Sequence, residues 1–170
     1  MNKIIFILLI ALSFNAFAQD TDSVQKKRPD FILSANLSGD ISLLALGLEK
    51  FVFLKPGFAL GIGVGFGFNQ EFQIFSNDDI ANYFILPHHV TCNFGKNKSF
   101  LEFGLGAAFV TSGEDNYYLA YPVLGYRLHP FKNPGFSFRA WLYYPLGQQS
   151  NINDIDVLFT PVGLSFGIAL

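Results

Sequence analysis

Bulky apolar residues alternate with small ones along most of this chain. In Phe58-Ala-Leu-Gly-Ile-Gly-Val-Gly-Phe-Gly-Phe68 every second position is large, and each position between is Gly or Ala. A helix would scatter those glycines around its surface at roughly 1 kcal/mol each. A strand gathers Phe58, Leu60, Ile62, Val64, Phe66 and Phe68 on one face and Ala59, Gly61, Gly63, Gly65 and Gly67 on the other. The period predicts a strand. It recurs over Phe100–Val110, Phe136–Tyr144 and Val162–Leu170, and in weaker form over Phe31–Ser38, Ile41–Phe53, Tyr83–Phe94 and Tyr118–His129, giving eight strands in all.

The connections alternate too. Short turns at Leu54–Gly57, Gly95–Lys98 and Pro130–Gly135 interleave with longer loops at Asn69–Asn82, Thr111–Tyr117 and Gly147–Leu158. The first connection, Ser38-Gly39-Asp40, is short where a long loop is expected. Charge sorts the same way. The long loops and the first connection hold Asp40, Glu71, Asp78, Asp79, Glu114, Asp115, Asp154 and Asp156, whereas the opposite rim holds Lys50, Lys55, Lys96, Lys98 and Lys132.

The two faces decide the class. A soluble sandwich points its large apolar face inward and its polar face to water. Here the second face is mostly Gly, Ala and Ser, with Glu49, Glu102, Arg127 and Arg139 among them. That is a poor wet surface but a good interior for a narrow barrel with lipid outside. Strands of about 9–11 residues match a bilayer, and hydrocarbon tolerates no unpaired strand edge. The expected fold is an all-β, eight-stranded antiparallel up-and-down transmembrane β-barrel with short periplasmic turns.

Met1–Ala18 has the pattern of a secretory signal: Lys3, the apolar run Ile4–Phe14, and Ala16-Phe17-Ala18 for cleavage. The run is shorter than the ~20 residues that span a bilayer as a helix. Residues 19–29 then form a polar periplasmic leader and 30–170 the barrel, placed in the bacterial outer membrane with both termini periplasmic. Composition narrows the function classes. Charged residues are only 14% of the chain and aromatics 17%, with one Cys and a net charge of −2. One Cys excludes a disulfide framework or multi-cysteine zinc site, and a chain that is not basic argues against a nucleic-acid partner.

Residues 30–170 resemble the small eight-stranded outer-membrane β-barrels of the OmpA and OmpX type. The final strand, with Val162, Leu164, Phe166, Ile168 and Leu170, is similar to that family's carboxy-terminal assembly signal, although Leu170 stands where an aromatic residue is usual. The resemblance implies a monomeric integral protein of the Gram-negative envelope. Its partners would be outer-membrane lipids, lipopolysaccharide and, during biogenesis, the barrel-assembly machinery. The fold alone assigns no role; the scarcity of convergent polar groups and the modest loops make a structural or envelope-maintenance role, with no cofactor, the expectation.

The interior charges are the most specific signal. By parity Glu49, Glu102, Arg127 and Arg139 point into the lumen in one layer near the short turns. A lone charge there is costly unless paired, so Glu–Arg bridges are expected to plug the lumen, with the pairing left open. Trp141 and Tyr143, on the seventh strand, are expected to fill the space left by the glycines of the third, so that Gly63→Leu would clash with them.

No catalytic or metal residues are assigned. His88 is the one awkward outward residue, and Cys92 lies four positions on, roughly 13 Å along a strand. No Ser or carboxylate accompanies it. His89 points inward beside Thr91. The loop Asn151-Ile-Asn153-Asp154-Ile-Asp156 offers oxygen ligands but lacks the Gly and distant Glu of a calcium hand. Pro87, Pro122, Pro145 and Pro161 interrupt strand patterns, where each removes a ladder hydrogen bond. Two alternatives to the structural role remain: a lipid-modifying enzyme with lateral lipid access at those prolines, and a surface-binding barrel acting through acidic loops.

Overall fold

The structure is a computed structural model and describes residues 28–70, 82–111, 116–146 and 160–170. It contains β1 (Phe31–Gly39), β2 (Ser42–Lys55), β3 (Phe58–Gln70), β4 (Asn82–Lys96), β5 (Ser99–Thr111), β6 (Asn116–Leu128), β7 (Gly135–Tyr143) and β8 (Val162–Ala169). Each strand pairs antiparallel with its sequence neighbour, and β1 pairs with β8, so the sheet closes into a barrel. The signal and most of the leader, 1–27, lie outside the described residues, as do Glu71, Asp78, Asp79, Glu114, Asp115, Asn151, Asn153, Asp154 and Asp156.

Alternation in the sequence becomes alternation between outside and bore. On β3, Ile62 and Val64 are 56% and 58% exposed, while Gly61 and Gly63 are buried. The barrel end that holds Asp30, Leu170 and the short turns is called the near end here. Two of its turns need left-handed backbone, supplied by Gly57 (φ 83°) and Asn97 (φ 58°), residue types that tolerate it. Gly57 also lets the chain approach Gly95, whose N–H donates to the Gly57 carbonyl at 2.8 Å.

Strand lengths are less even than the alternation implies. β2 to β6 run 13–15 residues, against 9, 9 and 8 for β1, β7 and β8. Prolines account for part of this. The β6–β7 ladder stops at Val123↔Tyr143, one residue from Pro122. The β7–β8 ladder stops at Leu142↔Val162, beside Pro161, whose carbonyl accepts from the Tyr143 N–H at 3.0 Å. Pro87 stays within β4, where the pairing with β3 skips from His88 to Ile85.

At the far end the β1–β2 turn folds into the bore. Ser38, Asp40 and Ile41 have φ of 52°, 56° and 66°, a region that costs a β-branched residue roughly 1–2 kcal/mol. Neighbouring groups hold it there. The Ile41 N–H donates to the Tyr143 hydroxyl (3.1 Å), its carbonyl accepts from Asn69 Nδ2 (2.6 Å), and Asp40 Oδ1 accepts from the Tyr121 hydroxyl (2.9 Å). Asp40 is 1% exposed, so it does not belong to an acidic outer rim. A hydroxyl inside the bore satisfies its carboxylate, and apolar contact holds Ile41 beside it.

The far half of the bore is filled by Ile41, Ile85, Val110, Tyr121, Trp141 and Tyr143 among others. Trp141 and Tyr143 do not fill the space over the β3 glycines. A methyl built on Gly39 or Gly163 would fall on the Trp141 indole, and one on Gly63 would fall on the His89 imidazole. Strands in a barrel are tilted and staggered, so residues level in a flat count around the ring do not meet across it.

Candidate functional site: a buried charge cluster

The near half of the bore holds the four charges. Glu49 comes from β2, Glu102 from β5, Arg127 from β6 and Arg139 from β7, and each is at most 2% exposed. Arg127 and Arg139 are direct cross-strand partners, an arrangement that like charges alone would destabilise. The two glutamates resolve it. Arg127 Nε donates to Glu102 Oε2 at 2.9 Å, and Arg139 Nε donates to Glu102 Oε1 at 2.8 Å. Arg139 Nη2 makes a further short bond to the same Oε1. Glu102 is thus held from both sides.

Glu49 reaches the same pair across the bore. Its Oε2 lies 2.6 Å from Arg127 Nη2 and its Oε1 lies 3.9 Å from Arg139 Nη1. These are close ion contacts without hydrogen-bond alignment. Which Glu meets which Arg has a simple answer: each arginine touches both. The guanidinium groups also stack on aromatic faces, Arg139 over Trp141 at 4.1 Å and Arg127 over Phe51 at 4.9 Å, the geometry of cation–π attraction.

A fifth member escaped sequence reasoning. His89 Nε2 sits 3.7 Å from Glu49 Oε2, on β4 and separated from β2 by β3. The register explains the approach: Glu49, Gly63 and His89 lie in one row across β2, β3 and β4, and the glycine leaves the space between them open. Parity marks an inward Glu on β2 and an inward His on β4; that they share one level is set by the register.

Below the charges, His129 closes the near mouth among Phe51, Phe53 and Phe100, with ring centroids 4.9, 5.1 and 6.3 Å away. Burial pushes its imidazole down to about 4, and the Arg127 and Arg28 guanidinium groups act in the same direction. Its Nδ1 lies 3.0 Å from the Pro130 carbonyl, a contact that opposes the shift. The space between these rings and Arg127 has no room for a water molecule.

Outside the barrel, His88 pairs with Ala107 of β5 and its Nε2 lies 2.8 Å from the Tyr118 hydroxyl on β6. The small Ala107 allows the imidazole to reach across β5. Pairing between strands two apart left no signal in the sequence. Cys92 is a half-buried free thiol on the same strand. Val162, Leu164, Phe166, Ile168 and Leu170 all face outward and are exposed. Among the described residues no group of three or more His, Cys, Asp or Glu side chains is placed to hold a metal ion. No family model, curated protein or solved structure matches the chain.

The arrangement does one thing chemically. It neutralises two carboxylates and two guanidinium groups against one another in a space without bulk water, where an unpaired charge would be costly. Glu102 is hydrogen-bonded by both arginines, Glu49 is held by charge contact alone, and the packed bore above and below leaves them enclosed.

Proposed function

We propose that this chain is an integral outer-membrane β-barrel of the small OmpA or OmpX type. Its lumen is sealed by the Glu49–Glu102–Arg127–Arg139 cluster, and its role is structural, in envelope maintenance. The observation that carries the reading is the inside-out distribution of side chains. Leu46, Leu105, Phe136 and Tyr144 are 63–66% exposed, and outward apolar residues continue around every strand, while Arg127, Arg139 and Glu102 are buried. The largest apolar patch on a soluble monomer is typically about 300–600 Å², and a continuous girdle of this kind suits hydrocarbon instead.

Orientation follows from the same reading. Both ends of the barrel chain meet at the near end, where Leu170 N–H donates to the Phe31 carbonyl at 2.9 Å, beside the short lysine-bearing turns. That end faces the periplasm after export by the amino-terminal signal. The deciding experiment is gel mobility of the urea-washed membrane fraction, with and without boiling. A heat-dependent shift of a protein that stays with the membrane is expected. Release by urea, or one mobility under both conditions, would overturn the proposal.

A further inference from the structure

At the near rim the start of β5 meets the connection from β6 to β7. Between them lies an open groove of about 720 Å³, within the ~300–1,000 Å³ of small-ligand sites. Lys98 and Lys132 line it, no acidic residue does, and the Phe131 ring belongs to its wall. Phe131 is a meeting point for cations, with Arg28 Cζ 4.4 Å and Lys98 Nζ 5.9 Å from its centroid. Arg28 Nη1 is buried and has no hydrogen-bond partner among the described residues. The groove's other wall is apolar. Leu128 and Phe136 line it, and Phe136, 63% exposed, leads onto the outward girdle through its contact with Phe166, 6.2 Å between centroids.

A ligand fitting this site carries an anionic group at one end and an apolar body at the other. We propose that the groove seats one anionic glycerophospholipid of the periplasmic leaflet. Its phosphate lies between Lys98 and Lys132, and its acyl chains lie along Leu128 and Phe136. The inference rests on the membrane reading above. It adds a defined lipid site at one point of the rim, where a uniform rim charge would give only diffuse attraction. A lysine near an anionic lipid surface contributes about fivefold in affinity.

The test is native mass spectrometry of the folded full chain in neutral detergent, titrated with phosphatidylglycerol, phosphatidylcholine and inorganic phosphate. One saturable phosphatidylglycerol adduct is expected, tighter than phosphatidylcholine and not displaced by millimolar inorganic phosphate. K98A or K132A should weaken it about fivefold and the double variant more than tenfold. K50A/K96A, which removes the same charge from the same rim, should leave it unchanged. All four lysines are exposed, and heat-dependent gel mobility checks that each variant folds. Equal loss in the two double variants, equal binding of phosphatidylcholine, or displacement by inorganic phosphate would each overturn the site. If the gel shift persists while the adduct ignores K98A/K132A, the lipid seat fails and the membrane reading stands. If the parent chain shows no shift, the membrane reading fails first.

Discussion

Replacing Arg139 by methionine removes the guanidinium group while retaining most of the side-chain volume, so the loss is electrostatic more than a cavity. Glu102 receives three donor contacts, two of them from Arg139. Bonds to charged groups are worth about 1.5–3 kcal/mol each, and breaking a buried ion pair costs about 3–5 kcal/mol. The two routes agree on about 3–5 kcal/mol for Arg139→Met. The cluster is left with two carboxylates against Arg127 alone. Adding Glu102→Gln restores balance, with Glu49 facing Arg127, so the double variant should be less destabilised than the sum of the two single changes. Coupling of about 0.5–3 kcal/mol is expected for residues in such contact. The assay is the folded fraction on semi-native gels across a urea series in detergent, for all four members of the cycle. A cost below about 1 kcal/mol for Arg139→Met, or strict additivity, would refute the claim that these charges hold one another.

Three further outcomes follow from the geometry. His129 has a folded pKa of about 4 against about 6.5 unfolded, so the unfolded chain binds the extra proton between those values. Stability should be full above pH 6.5, fall by up to about 1.4 kcal/mol per unit as the pH drops towards 4, and level off below; in urea titrations over that range His129→Phe should show a shallower slope, and an identical slope would remove His129 as the cause. Gly163→Ala puts a methyl on the Trp141 indole and should cost about 1–3 kcal/mol by overpacking, with partial recovery in Gly163→Ala/Trp141→Leu; equal urea midpoints for the parent and Gly163→Ala would disprove the contact. Trp141, the single tryptophan, is 1% exposed inside the bore, so its fluorescence in vesicles should resist both aqueous acrylamide and lipids with brominated chains. Strong quenching by the brominated chains would mean that β7 is turned inside out.

Periodicity made the barrel legible because a period of two assigns each residue a side without reference to its neighbours. The same parity put Glu49, Glu102, Arg127 and Arg139 on the bore side. What parity cannot supply is height, since stagger between strands is set by register. For that reason the sharing of both glutamates by both arginines, the row from Glu49 to His89, and the neighbours of Trp141 are fixed only by the register of the closed sheet. The tuck of Asp40 and Ile41 was hidden for a different reason. Ser38-Gly39-Asp40 reads as an ordinary polar turn, and local preference would assign the left-handed conformation to Gly39. Contacts with Asn69, Tyr121 and Tyr143, distant in sequence, place it on Ser38, Asp40 and Ile41 instead.

The ion contact between Glu49 and Arg127 joins β2 to β6, strands four steps apart whichever way the ring is counted. No stretch of flat, unrolled sheet can form it, because only curling brings those two strands face to face. Until that happens the nascent sheet carries a stranded carboxylate, and sliding β6 by a single residue would turn Arg127 out of the bore altogether. The cluster therefore rewards the last act of assembly more than the first, and it disfavours misaligned intermediates through charge they have nowhere to put.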